Sequence, residues 1–305
     1  MEKMPGGRWK NANEVLYATP SMPKVQYRSA ALPPDRTATA VEITPARGGW
    51  KYLHFAVRQV APGTPWRHAT GREECCLVLL RGACRVESSA LPDAVFLGPR
   101  ADVFSGYPHA IYLPPQTRFR VVADELTELA DGRAPARARH APRVIRPEDC
   151  GFEIRGGGNA TRQIVDIMPP AFPADRLLVC EVFTPAGNWS SYPPHKHDVD
   201  RPPGEVKLEE TYYYRFTHPD AYGFQRLYGR TDDRTLTVRH GDLVLIRSGY
   251  HPFVTAYGYH AYYLNVLAGT RRSMAASDDP RYAAFRAWPP PDSRLPLVPR
   301  PAPAQ

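Results

Sequence analysis

Short runs in which apolar and polar residues alternate, each soon cut by Gly or Pro, occupy most of this chain. A period of two between turn residues is the signature of strands. A first series of such runs covers residues 50–60, 75–80, 83–87, 94–97, 110–113 and 119–122. A second covers 162–167, 177–183, 211–216, 224–228, 235–238, 243–246 and 259–267. Each carries the β-branched and aromatic residues that favour a pleated surface. Residues 131–147, rich in Ala, Arg and Pro, read as a linker or exposed crossover. The pattern predicts an all-β chain of two tandem barrels or jelly rolls, residues 1–145 and 146–275. A tail, 276–305, follows, with a short helix over 281–288 and an extended or disordered Pro-rich end. A weak internal echo supports duplication: Ser105-Gly106-Tyr107-Pro108-His109 against Ser248-Gly249-Tyr250-His251.

Composition sharpens this picture in three places. The 34 prolines and 22 glycines among 305 residues argue against long helices. Five cysteines, an odd number that includes the neighbours Cys75 and Cys76, form no disulfide framework and no Cys-x-x-Cys pair, so they read as reduced, buried thiols. No stretch approaches the roughly 20 apolar residues that cross a bilayer, and residues 1–10 lack the apolar core of a secretory signal. A soluble, cytoplasmic protein with no membrane partner is expected. The net charge of +8 comes from scattered arginines, not a block. It predicts a solvated surface that attracts an anionic small molecule, not nucleic acid.

The candidate chemistry begins at His195-Lys196-His197. Pro193-Pro194 upstream favours extended backbone, on which imidazoles two residues apart project to the same side, a spacing that suits a metal. Downstream, Leu208-Glu209-Glu210-Thr211-Tyr212-Tyr213-Tyr214 reads as a strand entered by carboxylates. The run 243–246 then ends at a Gly turn that presents His251. Three neutral imidazoles and one of the two carboxylates form a donor set for a divalent first-row ion, Zn, Mn, Fe or Ni.

The order His-x-His, Glu, Gly-x-His resembles the two motifs of the cupin superfamily. The strings Ser190-Ser191-Tyr192-Pro193-Pro194-His195-Lys196-His197-Asp198, Leu208-Glu209-Glu210-Thr211-Tyr212, Gly249-Tyr250-His251-Pro252, Tyr262-Tyr263-Leu264-Asn265 and Arg155-Gly156-Gly157-Gly158-Asn159 are similar to those of the 5-deoxyglucuronate isomerases, bicupin enzymes of myo-inositol catabolism. The resemblance implies one divalent ion, Zn or Mn foremost, on His195, His197, Glu210 and His251 of the C-terminal barrel. Glu210 is preferred because it shares a strand face with Tyr212 and Tyr214, which turns Glu209 outward. Two departures stand out: the loop from His197 to the glutamate is long, and Arg247 occupies a position where cupins usually carry Pro. The first barrel, with Glu73-Glu74 before its strand but no His-x-His, is expected to be metal-free and to serve structure and assembly.

The implied reaction is aldose–ketose isomerisation of 5-deoxy-D-glucuronate to 5-dehydro-2-deoxy-D-gluconate, which needs a Lewis acid and a proton shuttle. Tyr212, Tyr214 and Lys196 are the candidate bases. Arg226 or Arg247 would hold the substrate carboxylate, and Tyr263 and Asn265 would line its site. The competing readings are a ketol-isomerase of 4-deoxy-5-hexosulose uronate, a cupin dioxygenase and a non-catalytic sugar-binding cupin. By analogy a homo-oligomer is expected.

Overall fold

The computed structural model describes residues 24–302 apart from 231 and 288. The reading of residues 1–10 falls outside the described residues. Helix among them is confined to Pro45–Gly48 and two 3-10 turns, Pro147–Asp149 and Ala283–Arg286, as the density of Gly and Pro requires. The helix expected over 281–288 thus reduces to a single turn. No described helix is long and apolar enough to cross a membrane. All five cysteines are buried and unbridged.

Two curled antiparallel β-units follow one another along the chain. The second is built on a seven-stranded sheet in the order Gln26–Arg28, Asp242–Ile246, Leu208–Phe216, Ala261–Gly269, Leu178–Thr184, Arg162–Met168 and Gly151–Arg155. A four-stranded sheet of Trp189–Ser190, Phe253–Thr255, Tyr222–Tyr228 and Asp233–Arg239 closes over its inner face, where Tyr214 meets Phe253 with ring centroids 5.0 Å apart. The first unit centres on Glu73–Ser88, a single strand of 16 residues. The sequence reads it as two strands broken at Gly82. That glycine is instead a bulge at φ +89°, where a Cβ would lie 2.7 Å from the Leu126 carbonyl oxygen. The strand continues because no second turn residue accompanies the glycine.

Three further expectations change. Residues 131–147 are not a linker: Thr127–Pro135 is a central strand, and Arg143–Ile145 pairs with Ala110–Leu113. Its arginines misled because one of them, Arg133, is buried against Asp131, which also accepts from Arg58 at 3.1 Å. The tail does not trail free through 298, since Gln163 accepts from the Leu297 and Val298 amides at 2.9 and 3.1 Å and Val298 is fully buried. The internal echo is out of register. Ala110–Leu113 pairs with Cys75–Val78 as Asp242–Ile246 pairs with the strand of Glu210, so Leu113 corresponds to Ile246 and Gln116 (φ 61°) to Gly249 (φ 84°).

The outer faces of the two units share one core, with Phe55 packing on Tyr213 at 5.8 Å between centroids. Two glutamates bind the units reciprocally. Glu209 accepts from the backbone amides of Lys51, Tyr52 and Leu53 at 2.5, 2.8 and 2.8 Å. Glu74 accepts from those of Asp175, Arg176 and Leu177 at 2.7, 2.6 and 2.8 Å. Between them Arg100 grips Glu181 through two bonds of 2.8 Å, both side chains sealed from solvent, and the Tyr262 hydroxyl donates to Glu181 at 2.8 Å.

A buried charge that loses its partner is costly, whatever the net worth of the intact pair. Arg100→Met is therefore expected to lower unfolding free energy by about 3–5 kcal/mol, read from denaturant melts. A loss comparable to that of an exposed pair would show that the two units are not joined at this contact.

Candidate metal centre

The stretch His195–Lys196 pairs with Ser277–Asp278, and its extended backbone sends His195 and His197 one way and Lys196 the other. The Lys196 Nζ donates to both Glu205 oxygens at 2.8 and 2.9 Å. Glu205 also accepts from the amides of Asp198 and Val199 at 2.6 and 3.1 Å, which folds the long loop before Leu208 back on itself. Lys196 thus points away from the imidazoles it separates. At the other strand, Glu210, Tyr212 and Tyr214 face the interior of the unit while Glu209 faces the first unit, as the alternation predicts. Gly249 brings in His251. At φ +84° a Cβ there would lie 2.6 Å from the Tyr228 carbonyl oxygen, and the Gly249 amide donates to Asp198 at 2.9 Å.

The fold brings His197, Glu210 and His251 together with one ligand atom of each within 4.8 Å of the others. Glu210 Oε2 lies 2.9 Å from His197 Nε2 and 3.4 Å from His251 Nε2. His195 stands beside this trio, its ring centroid 4.7 Å from that of His251. Each ring turns its other nitrogen to a backbone carbonyl: His197 Nδ1 to Leu208 at 2.9 Å, His251 Nδ1 to Gly249 at 2.9 Å, and His195 Nδ1 to Pro193 at 3.4 Å. A carbonyl only accepts, so Nδ1 carries the hydrogen and Nε2 presents its lone pair.

Lone pairs of His197 and His251 therefore converge on a carboxylate that is itself only an acceptor. That contact calls for a proton on His197 Nε2 or for a metal ion among the three groups, and among the described residues the buried Nε2 of His251 has no hydrogen-bond partner. Burial, with the neighbouring imidazoles adding to it, pulls the pKa of both His195 and His251 down to about 3. Burial also opposes charge on His197, but the Glu210 carboxylate outweighs it and raises that ring. Imidazoles with tethered Nδ1–H groups, His197 giving up its Nε2 proton to the ion, and one carboxylate fit a divalent first-row ion.

Phenols surround this cluster. Tyr212 bonds Ser191 at 2.8 Å, and its ring stands edge-on to His251 with centroids 5.9 Å apart. Ser191 holds the left-handed region at φ 51°, unusual for a residue other than glycine. Tyr263 bonds Ser190, and burial pushes it up to about 12. Tyr214 bonds Gln225, whose amide donates to the His251 carbonyl at 2.8 Å. Burial, reinforced by nearby Glu210, raises Tyr212 well above the usual phenol value. Tyr214 rises likewise through burial, with Tyr263 and Glu210 adding to it. Asn265 donates to the Thr211 carbonyl at 3.1 Å.

The two arginines expected at the substrate are engaged with other partners. Arg226 forks onto Asp233 at 2.9 and 2.6 Å at the surface, and Arg247 donates to the Lys24 carbonyl at 3.0 Å. Neither hydrogen-bonds the histidine cluster. Sequence reasoning overlooked Gln225, Glu205 and Arg162. The signal for Arg162 was its phase: it opens the strand Arg162–Met168 on the face of Ile164, whose row across the sheet runs through Val182 and Tyr263 to Tyr214.

An almost all-β fold of two tandem cupin-type units defines the class, and solved structures share that fold. Oxalate decarboxylase of Bacillus subtilis matches with a TM-score of 0.58 at 11% identity, over 85% of this chain and 80% of that one. An IolB-like protein from Salmonella typhimurium LT2 matches with a TM-score of 0.81 at 33% identity, over 86% of this chain and 99% of its own. The KduI/IolB family model matches residues 27–285, and the chain belongs to that family. It is similar to 5-deoxy-glucuronate isomerase of Geobacillus kaustophilus, 43% identical over 81% of this chain and 90% of the relative. The enzyme of that name from Bacillus subtilis strain 168 is 36% identical over 79% and 90%. By this kinship the chain is an isomerase.

Glu205 supplies a pH test of the loop that carries Asp198. Burial would raise its pKa, but the bonds from Lys196, Ser277 and the Asp198 and Val199 amides bring it to about 2, from an ordinary 4.5. A depressed folded-state pKa gives stability that is full above 4.5 and lost as pH falls towards 2. Hydrogen-exchange protection of the Asp198 and Val199 amides should hold down to about pH 4 and decline below it. In Glu205→Gln it should be weak throughout, without that decline.

Proposed function

We propose that this chain catalyses the aldose–ketose isomerisation of 5-deoxy-D-glucuronate to 5-dehydro-2-deoxy-D-gluconate, a cytoplasmic step of myo-inositol catabolism, with one divalent metal ion. The name and close coverage of its relatives support the substrate. The observation that carries the chemistry is the convergence of imidazole lone pairs on the Glu210 carboxylate. His195, His197, Glu210 and His251 would hold the ion, with Zn or Mn foremost. When bound, the ion supplies Lewis-acid stabilisation of negative charge on the substrate oxygens. That requirement is common to any aldose–ketose proton transfer.

The chain's own residues divide the remaining work. Tyr212 and Tyr263, buried and resistant to ionisation, stay protonated and donate hydrogen bonds where negative charge develops. Ser191 and Ser190 fix the rotation of those hydroxyls. Tyr214 holds Gln225, and Gln225 holds the backbone of His251, so Tyr214 positions a ligand instead of moving a proton. Lys196, locked by Glu205, braces the loop. The sheets exclude bulk water from the fully buried imidazole of His251.

The discriminating pair of variants is Glu210→Gln and Glu209→Gln. Wild type should bind about one metal ion per chain by elemental analysis and lose turnover of 5-deoxy-D-glucuronate to a strong chelator. Glu210→Gln should lose the metal and about 1000-fold in kcat/KM. Glu209→Gln should keep both and lose about 1.5–3 kcal/mol of stability with its charged hydrogen bonds. Full turnover after exhaustive metal removal would sink the proposal.

A further inference from the structure

Arg162 is 5% exposed, and among the described residues no carboxylate bonds it. Its Nη1 donates to the Ala160 and Tyr192 carbonyls at 3.1 and 2.9 Å, and no described residue accepts from Nε or Nη2. Glu153, a carboxylate whose charge acts on Arg162, is forked onto Arg155 instead, at 2.8 and 2.6 Å. Such a group is expensive to maintain. A guanidinium in the interior normally faces a carboxylate, since desolvation of an uncompensated charge costs several kcal/mol. Of the other buried arginines among the described residues, Arg100 faces Glu181 and Arg133 faces Asp131, while Arg176 donates to the Pro135 and Gly269 carbonyls and keeps Asp175 3.6 Å away, so each has a carboxylate within 4 Å. Burial pulls Arg162 down to about 10, and the field of this cation adds to burial and His197 in depressing His195.

The chain shapes itself around this side chain. Gly156 sits at φ +88°, and a Cβ there would lie 2.2 Å from the Ala160 carbonyl oxygen and 3.0 Å from Arg162 Nη1. This accounts for the glycine in the run Arg155-Gly156-Gly157-Gly158-Asn159, to which the metal centre itself gives no role. The residues whose carbonyls hold Nη1 line a cavity of about 550 Å³, beside Pro194, which precedes His195. Arg226 is the cavity's lining arginine, and it is already paired with Asp233.

We infer that Arg162 is the substrate-carboxylate anchor, its free Nε and Nη2 edge receiving the C6 carboxylate of the uronate while C1 and C2 reach the histidine cluster. The inference rests on the isomerase reading above. A planar guanidinium with one nitrogen tied to backbone offers its remaining edge for a two-bond contact with a carboxylate. An extended six-carbon chain spans about 6 Å from C1 to C6, which is the reach that the proposal requires between this edge and the histidine cluster. Specificity for an acid over a neutral sugar follows, because a neutral ligand leaves the cation uncompensated.

The test is titration calorimetry of the metal-loaded enzyme with 5-deoxy-D-glucuronate and with its C6 amide, alongside turnover, for wild type, Arg162→Met and Arg162→Lys. Wild type should prefer the acid. Arg162→Met should weaken acid binding about 100-fold and leave the amide within about threefold. Arg162→Lys should recover part of the preference. Both variants should retain metal, and Arg162→Met should melt no lower than wild type, since it removes an unpaired buried charge. Undiminished acid binding by Arg162→Met, or equal loss of acid and amide with a lowered melting temperature, overturns the assignment and leaves Arg162 a structural group. A wild type that binds the acid without isomerising it defeats the isomerase reading alone. A wild type that binds neither ligand defeats both.

Discussion

One strand, Leu208–Phe216, carries the constraint on which both the fold and the centre depend. Adjacent residues of a strand face opposite ways, so Glu209 and Glu210 are sent to different jobs by geometry alone. Glu209 receives three backbone amides of the first unit and fixes its docking. Glu210 enters the second unit and faces His197 and His251. A slip of one residue in the register of this strand would exchange the two carboxylates and turn Tyr212 and Tyr214 out of the interior. Docking of the units therefore also holds the register that aims the centre.

The first unit shows the same device with the chemistry left out. Glu74 performs the docking role of Glu209, which places Cys75 where Glu210 stands in the second unit. Leu77 and Leu79 continue that face in place of Tyr212 and Tyr214, and they join an apolar cluster with Val86, Ile111 and Phe119. Arg118 takes the position of His251. This cluster buries hydrocarbon at no polar cost, and the charges on the same face, Asp131 and Arg133, neutralise each other with Arg58, whereas the second unit encloses imidazoles, phenols and a carboxylate that converge on one another. The unit that holds the candidate centre is backed by one whose buried charges are already paired. The Arg100–Glu181 contact and the shared core transmit that support.

Much of this was legible in the sequence, for physical reasons that differ from residue to residue. The phase of Glu210 with Tyr212 and Tyr214 follows from period-two geometry and survived intact. The same phase logic applies to Arg162, which was overlooked, because a strand-opening arginine does not reveal whether its charge is paired. That depends on Glu153 choosing Arg155, a contact between residues whose pairing composition cannot show. Residues 131–135 looked like a linker because buried arginines share their composition with exposed ones, and only the Asp131 partnership separates the two. Gly82 as a bulge and the docked tail likewise depend on neighbours distant in sequence, the Leu126 carbonyl and Gln163. Lys196 shows the converse: its place between two histidines suggested chemistry, while alternation had already turned it towards Glu205.

The protonation pattern around the cluster argues for how charge would be managed there. Three imidazoles tethered through Nδ1 to carbonyls and a single carboxylate bring one negative charge to the interior, and the divalent ion proposed above would leave one positive charge in excess. Arg162 adds a second nearby. Tyr212 and Tyr263 resist ionisation, so they contribute dipoles and do not cancel that excess. An interior with surplus positive charge and no free carboxylate is matched to a ligand that arrives with one negative charge and develops another during proton transfer. A neutral sugar satisfies neither demand, and a dicarboxylate would satisfy both before any reaction, leaving nothing for the transition state to gain. On these grounds a monocarboxylate with an enolisable carbonyl at the far end of a short chain is the ligand that the electrostatics of this unit favour.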